Sequence, residues 1–113
     1  MFARVLSEYG VTVHLFGDLL AQTLRSPEAR TFVLDRICTE HRLGPALAAS
    51  LRSMAEDVDA SLLAEWLVGG VLRSDLSPMS VSSLRWQTLT LDDFVLPPLP
   101  NTLFQRDNSA WIY

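Results

Sequence analysis

The 113-residue sequence contains no lysine, a single cysteine and no uninterrupted apolar run long enough to span a bilayer. Each absence closes off a class of behaviour. All nine basic residues are arginine, and 13 acidic residues outnumber them to give a net charge of −4. A surface built to neutralise nucleic-acid phosphates is therefore not expected. The guanidinium fork suits carboxylates and phosphates, but the arginines are scattered, which fits GC-rich codon usage better than a recognition patch. The lone Cys38 excludes an internal disulfide and fits a reducing compartment. A membrane helix needs roughly 18 or more apolar residues in a row, and no charged segment followed by an apolar one opens the chain. The expectation is a cytoplasmic chain with neither a membrane nor a nucleic-acid partner.

Hydrophobic residues, in contrast, are plentiful. They make up 49% of the chain, and the mean hydropathy is positive, so a packed segment is expected rather than disorder. At this length there is one domain at most, with a modest core. The same hydropathy suits a piece of a larger protein whose cut faces were interior.

Phe2, Val5, Leu6 and Tyr9 fall on one helical face that Gly10 stops. Val11-Thr12-Val13-His14-Leu15-Phe16 alternates and is β-branched, which predicts a strand. A helical period starts at Asp18 with Leu19, Leu20 and Leu24. Ser26-Pro27 then provides an N-cap and a proline at the first helical position. Ala29, Phe32, Val33 and Ile37 predict the buried stripe of that helix, with Arg30, Asp35 and Glu40 on other faces. His41 to Gly44 is a break. Pro45 opens a helix with Leu47, Leu51, Met54 and Ala55 on one stripe, and Asp57-Val58-Asp59 caps the next one, whose apolar face is Leu63, Trp66, Leu67 and Val71 and whose end is Gly69-Gly70. Short connections between four such helices imply a small antiparallel bundle. Residues 75–83 read as a serine-rich loop, residues 84–91 fit helix or strand, Asp92-Asp93 is a turn, and Phe94-Val95-Leu96 with Pro97-Pro98-Leu99-Pro100 is extended.

The closing segment is the most informative. Gln105-Arg106-Asp107-Asn108 lies between Leu103-Phe104 and an incipient strand, Trp111-Ile112-Tyr113. Pro100-Asn101-x-x-Phe104-x-Arg106-Asp107, preceded by Pro97-Pro98-Leu99, resembles the P-N-x-x-F-x-R-D signature of bacterial arginine deiminases. Asn108-Ser109-Ala110-Trp111-Ile112-Tyr113 is similar to the actinobacterial branch, and the likeness extends back through Val11-Thr12-Val13-His14-Leu15-Phe16-Gly17-Asp18-Leu19-Leu20. In that family a Gly-Gly and the rest of a strand would follow Tyr113, so an N-terminal or internal fragment is expected.

The resemblance implies an α/β fold: a fragment of the five-bladed α/β propeller of the guanidino-modifying (pentein) superfamily, carrying an inserted small helical bundle that makes this chain mostly helical. Residues 1–17 would be a helix and strand of the first propeller module. Residues 18–90 would be the helical insertion and a connecting segment, and 91–113 the lead-in to the next blade, cut off in mid-strand. The implied activity is hydrolysis of L-arginine to L-citrulline and ammonia through a cysteine nucleophile, with histidine handling protons and no metal or organic cofactor. L-Arginine is the implied partner, and a homo-oligomer of the intact enzyme is compatible with it.

The site residues carry over one at a time. Asp107 matches the aspartate that holds the substrate guanidinium, since a carboxylate accepts two parallel N–H bonds from that planar cation. Read from spacing alone, Asp107 and Arg106 would only order a turn. Asn101 matches a position that binds the amino-acid end, and Phe104 one that encloses the substrate. On their own they read as a turn asparagine and a core phenylalanine. Arg106 points to the opposite side of an extended chain and reads as structural.

Cys38 follows apolar Val33 and Ile37 and reads as a small hydrophobe rather than a nucleophile. The resemblance places the nucleophilic cysteine and the catalytic histidine downstream, so this chain alone is expected to be inactive. It is also expected to fold poorly, with exposed strand edges. His14 and His41 have no partner at a motif spacing, and two histidines with one cysteine make no recognisable metal site. Pro97-x-x-Pro100 formally matches a polyproline ligand but lacks a nearby basic flank, and Trp66 and Trp86 read as core or interface. Two alternatives stay open: a non-catalytic helical interaction module built around Phe32, Leu51 and Trp66, and a deiminase or hydrolase of another guanidino compound.

Overall fold

The computed structural model describes residues 2–76 and 81–100. Its elements run α1 (Phe2–Glu8), α2 (Phe16–Thr23), α3 (Pro27–Ile37), α4 (Glu40–Leu43), α5 (Pro45–Asp57), α6 (Ala60–Gly69), β1 (Val71–Leu72), a 3-10 turn at Ser74–Leu76, α7 (Leu84–Thr88) and β2 (Phe94–Leu96). The described residues are thus mostly helical with one small two-stranded sheet, as expected for the larger part of the chain. Among the described residues no helix is long and apolar enough to cross a membrane.

Helix boundaries follow local chemistry. Ser26 Oγ accepts from the Ala29 N–H, with Pro27 at the first position of α3. Asp59 Oδ1 accepts from the N–H groups of Ser61 and Leu62 at 2.7 and 3.0 Å, so α6 starts where its cap residue stands. At the end of α1, the Val11 N–H donates to Leu6 O at 3.1 Å and the Gly10 N–H to Ser7 O at 3.0 Å, the paired bonds of a left-handed helix stop. Gly10 has φ +79°, a conformation costly for any residue with a Cβ.

Two apolar clusters form the core. One gathers Leu43, Leu47, Leu51, Val71, Leu76, Trp86, Val95 and Leu96 from α4, α5, the sheet, the 3-10 turn and α7. The other holds Leu24, Leu34, Ala55, Leu63 and Ala64 where α2, α3, α5 and α6 meet. Half-buried Ile37, Cys38, Trp66 and Leu67 touch both and join them. The stripe expected on α5 is the one buried, with Ala48 added and Met54 half-covered. The face expected on α6 faces the core as well, but its last member, Val71, belongs to β1 because Gly70 ends the helix first.

Three expectations are corrected. The residues 11–16 form no strand: 11–15 have no regular structure and Phe16 already begins α2. A strand is defined by its ladder, and among the described residues no partner strand lies beside this segment. On α3 the fully buried residue is Leu34, whereas Phe32 is 56% exposed under the Arg36 guanidinium, 3.4 Å from its ring centroid. The inward stripe is Arg30, Val33, Leu34 and Ile37. Arg30 belongs in it because its guanidinium donates to the carbonyls of Leu24, Glu56 and Val58, satisfying the ends of α2 and α5. The break expected from His41 to Gly44 is corrected as well, since Glu40–Leu43 forms the one-turn helix α4. The 84–91 segment, open between helix and strand, is helical over Leu84–Thr88 with an Asp93-capped turn following.

Candidate functional site

Asn101, Phe104 and Asp107, with Arg106 and the Trp111-Ile112-Tyr113 segment, lie outside the described residues. The structure does describe the segment that leads to them, and this lead-in is firmly held. β2 pairs antiparallel with β1, Val71 opposite Leu96 and Leu72 opposite Phe94, so Val95 is an extra residue in the ladder. Strict alternation would send Val95 and Leu96 to opposite faces. The bulge lets both turn inward, and both are buried.

Beyond β2 the chain crosses the carboxyl end of α6. There the Leu99 N–H donates to Leu67 O and Val68 O, both at 3.2 Å. Those carbonyls belong to the last turn of the helix and have no partner within it. The crossing is close enough to require glycine at position 70. A Cβ there would stand 2.8 Å from both Leu96 O and Pro98 N. Gly70 also has φ +79° and ψ 175°, a backbone region that is essentially glycine's alone.

On its other side the lead-in is fixed by Arg73 and Asp93. The Arg73 N–H donates to Asp93 O at 2.9 Å, and the Ser74 N–H to Leu91 O at 3.0 Å. The Arg73 guanidinium donates to Leu89 O and sits 5.1 Å from the Trp86 ring centroid. Asp93 Oδ2 accepts from the Thr90 N–H at 2.6 Å, and this bond holds its carboxyl below the usual range. The turn expected at Asp92-Asp93 is present, and its second aspartate does the capping.

Cys38 caps the carboxyl end of α3 between the two clusters. Burial pushes its thiol up to about 11, and Arg52 offsets this only in part. At pH 7 only on the order of one molecule in 10,000 would carry the thiolate, the form that attacks an electrophile. His14 and His41 are exposed and stand on separate parts of the chain. A cavity of about 400 Å³ opens between α2 and α6, lined by small residues with Asp18 and Glu65, but it holds no cysteine or histidine. Among the described residues, then, the one thiol is half-buried and weakly acidic.

The family model for arginine deiminase matches residues 1–113, the whole of the sequence. The chain belongs to the arginine deiminase family. The match takes in the described scaffold and the P-N-x-x-F-x-R-D segment together, so the arginine deiminase signature stands directly after a lead-in built on β2, Gly70 and the end of α6. Sequence reasoning had no sign of the Gly70 crossing or of the Arg73 clamp. Both depend on which segments meet across more than a dozen residues, and the Gly69-Gly70 doublet read only as a helix end.

Proposed function

We propose that this chain supplies the substrate aspartate and the helical insertion of an arginine deiminase that converts L-arginine and water to L-citrulline and ammonia. Asp107 accepts the guanidinium N–H bonds, Asn101 binds the amino-acid end and Phe104 walls the site. The nucleophilic cysteine and the proton-handling histidine come from chain outside residues 1–113. Attack by the thiolate on the guanidinium carbon expels ammonia, and water then releases citrulline. The observation that carries this reading is the family match across the whole chain, signature included. The half-buried, weakly acidic Cys38 supports it by leaving the nucleophile's role to another residue. The finer picture goes with it: the helices of 18–90 interrupt a five-bladed propeller of the guanidino-modifying superfamily, in a cytoplasmic enzyme. With the family shown, no separate observation favours a non-catalytic helical module.

The test uses the full-length enzyme. Asp107→Ala is expected to lower citrulline formation at least 1,000-fold, about 4 kcal/mol of lost transition-state binding. Cys38→Ser is expected to leave the rate within a few-fold of the parent. Near-parental activity in a folded Asp107→Ala enzyme would overturn the assigned role, and loss of turnover in a folded Cys38→Ser enzyme would return the nucleophile to this chain.

A further inference from the structure

Arg106 lies outside the described residues, which leaves eight of the nine arginines, and five of these are committed. Arg4 and Arg52 pair with carboxylates. Arg30, Arg36 and Arg73 donate to backbone carbonyls. Arg25, Arg42 and Arg85 make neither kind of bond to any described residue. Two of these three, Arg42 on α4 and Arg85 on α7, line the same cavity of about 220 Å³. Its remaining wall is mostly apolar and includes Ile37, Leu43, Val95 and Pro97. In a chain of net charge −4, two arginines with no such bond to a described residue thus line one hollow whose other lining side chains are apolar.

We infer that this cavity binds a short aliphatic carboxylate, with Arg42 and Arg85 holding the carboxylate and Ile37, Phe94 and Pro97 receiving the hydrocarbon. The chemistry discriminates among anions. A guanidinium fork takes either carboxylate or phosphate, but phosphate has no apolar part to place against Phe94 and Pro97. The volume lies below the roughly 300–1,000 Å³ of sites for drug-sized ligands, which limits the guest to a few carbons. Because Arg42 and Arg85 are exposed at the rim, the bound carboxylate stays partly hydrated. Millimolar affinity that weakens with salt is therefore expected. The cavity adjoins β2 and Pro97, so its occupant would rest against the lead-in to Asn101.

The test is direct binding to the full chain, followed by calorimetry or ligand-observed NMR, a readout independent of deiminase activity. Butyrate is the probe, and acetate, hexanoate and inorganic phosphate are the comparisons. The expected result is saturable butyrate binding at least tenfold tighter than acetate or phosphate, weakened about tenfold by Arg42→Gln and by Arg85→Gln. The chain-length series on the unsubstituted protein tests the pocket even if a variant folds badly. Absence of saturable butyrate binding, as would follow if a carboxylate of the protein itself fills the cavity, overturns the inference. So does phosphate binding as tightly as butyrate, or butyrate binding untouched by both substitutions.

Discussion

The amino-terminal arm, residues 2–15, and the body from α2 to Pro100 are equally well patterned with apolar residues, yet only the body buries them. In the arm Phe2 is 76% and Tyr9 83% exposed, and no residue of α1 is fully buried. In the body Leu47, Leu51, Leu63, Val71 and Val95 are all shut away from solvent. The difference teaches what an amphipathic pattern specifies. It marks a face that gains from burial, worth about 25 cal/mol per Å² covered, without naming the surface that will cover it. In the body the covering elements lie within the same 113 residues. For the arm, the described residues provide none, and the β-branched 11–15 segment has no ladder to join.

The largest effect that separates the two regions should come from side-chain truncation. Leu63→Ala removes a fully buried side chain from the α2–α6 junction and is expected to cost about 2–5 kcal/mol. Phe2→Ser is expected to stay within about 0.5 kcal/mol. Urea denaturation of the two variants of this chain decides the matter. Equal losses would mean the arm is packed after all and would erase the comparison.

A backbone version of the same contrast is smaller and more specific. Gly10 and Gly70 share φ +79°, but a Cβ at Gly10 meets nothing within 4 Å whereas one at Gly70 meets two backbone atoms at 2.8 Å. Gly10→Ala is therefore expected to cost about 1–2 kcal/mol from conformation alone. Gly70→Ala carries the conformational cost of about 1–3 kcal/mol and must also push the Leu96–Pro98 segment off the end of α6. A thermal-melt difference between the variants measures that second contribution. Indistinguishable melts would mean the crossing over Gly70 contributes nothing to stability.

How much of this was legible in the sequence depends on the range of the physics involved. The caps at Ser26 and Asp59, the stop at Gly10 and the buried stripe of α5 were readable because the interacting groups lie within a few residues of each other. Leu34 was missed because Arg30 occupies a core-facing slot, and a charged residue in the stripe rotates the apparent apolar face toward Phe32. The 11–16 strand was over-read because propensity is local and pairing is not. The β1–β2 pairing and the Gly70 crossing were invisible, since each joins segments more than 20 residues apart. The candidate site was legible in a different way: Asp107 stands out only through the residue order of its signature, and no periodicity or composition would have singled it out.

Cys38 offers the finest probe of the comparison, because it sits where the two clusters of the body join. Its raised value means the neutral thiol is the form the fold favours. The contribution to stability is complete below the unfolded value of 9.0 and is lost as pH rises through about 11, so the body should weaken between those limits and not below them. Reactivity reports the same burial. At pH 8 a thiol of value about 11 is roughly 200-fold less ionised than an exposed one near 8.5. Its higher basicity returns roughly tenfold in nucleophilicity. Alkylation of Cys38 by iodoacetamide is then expected to run on the order of 20-fold slower than that of a Tyr9→Cys, Cys38→Ser variant, before any steric shielding. Adding urea to just below the unfolding midpoint should leave the arm's rate unchanged and raise that of Cys38. Comparable rates at both positions in native buffer would show that the junction between the clusters is open, and that arm and body differ less than their burial suggests.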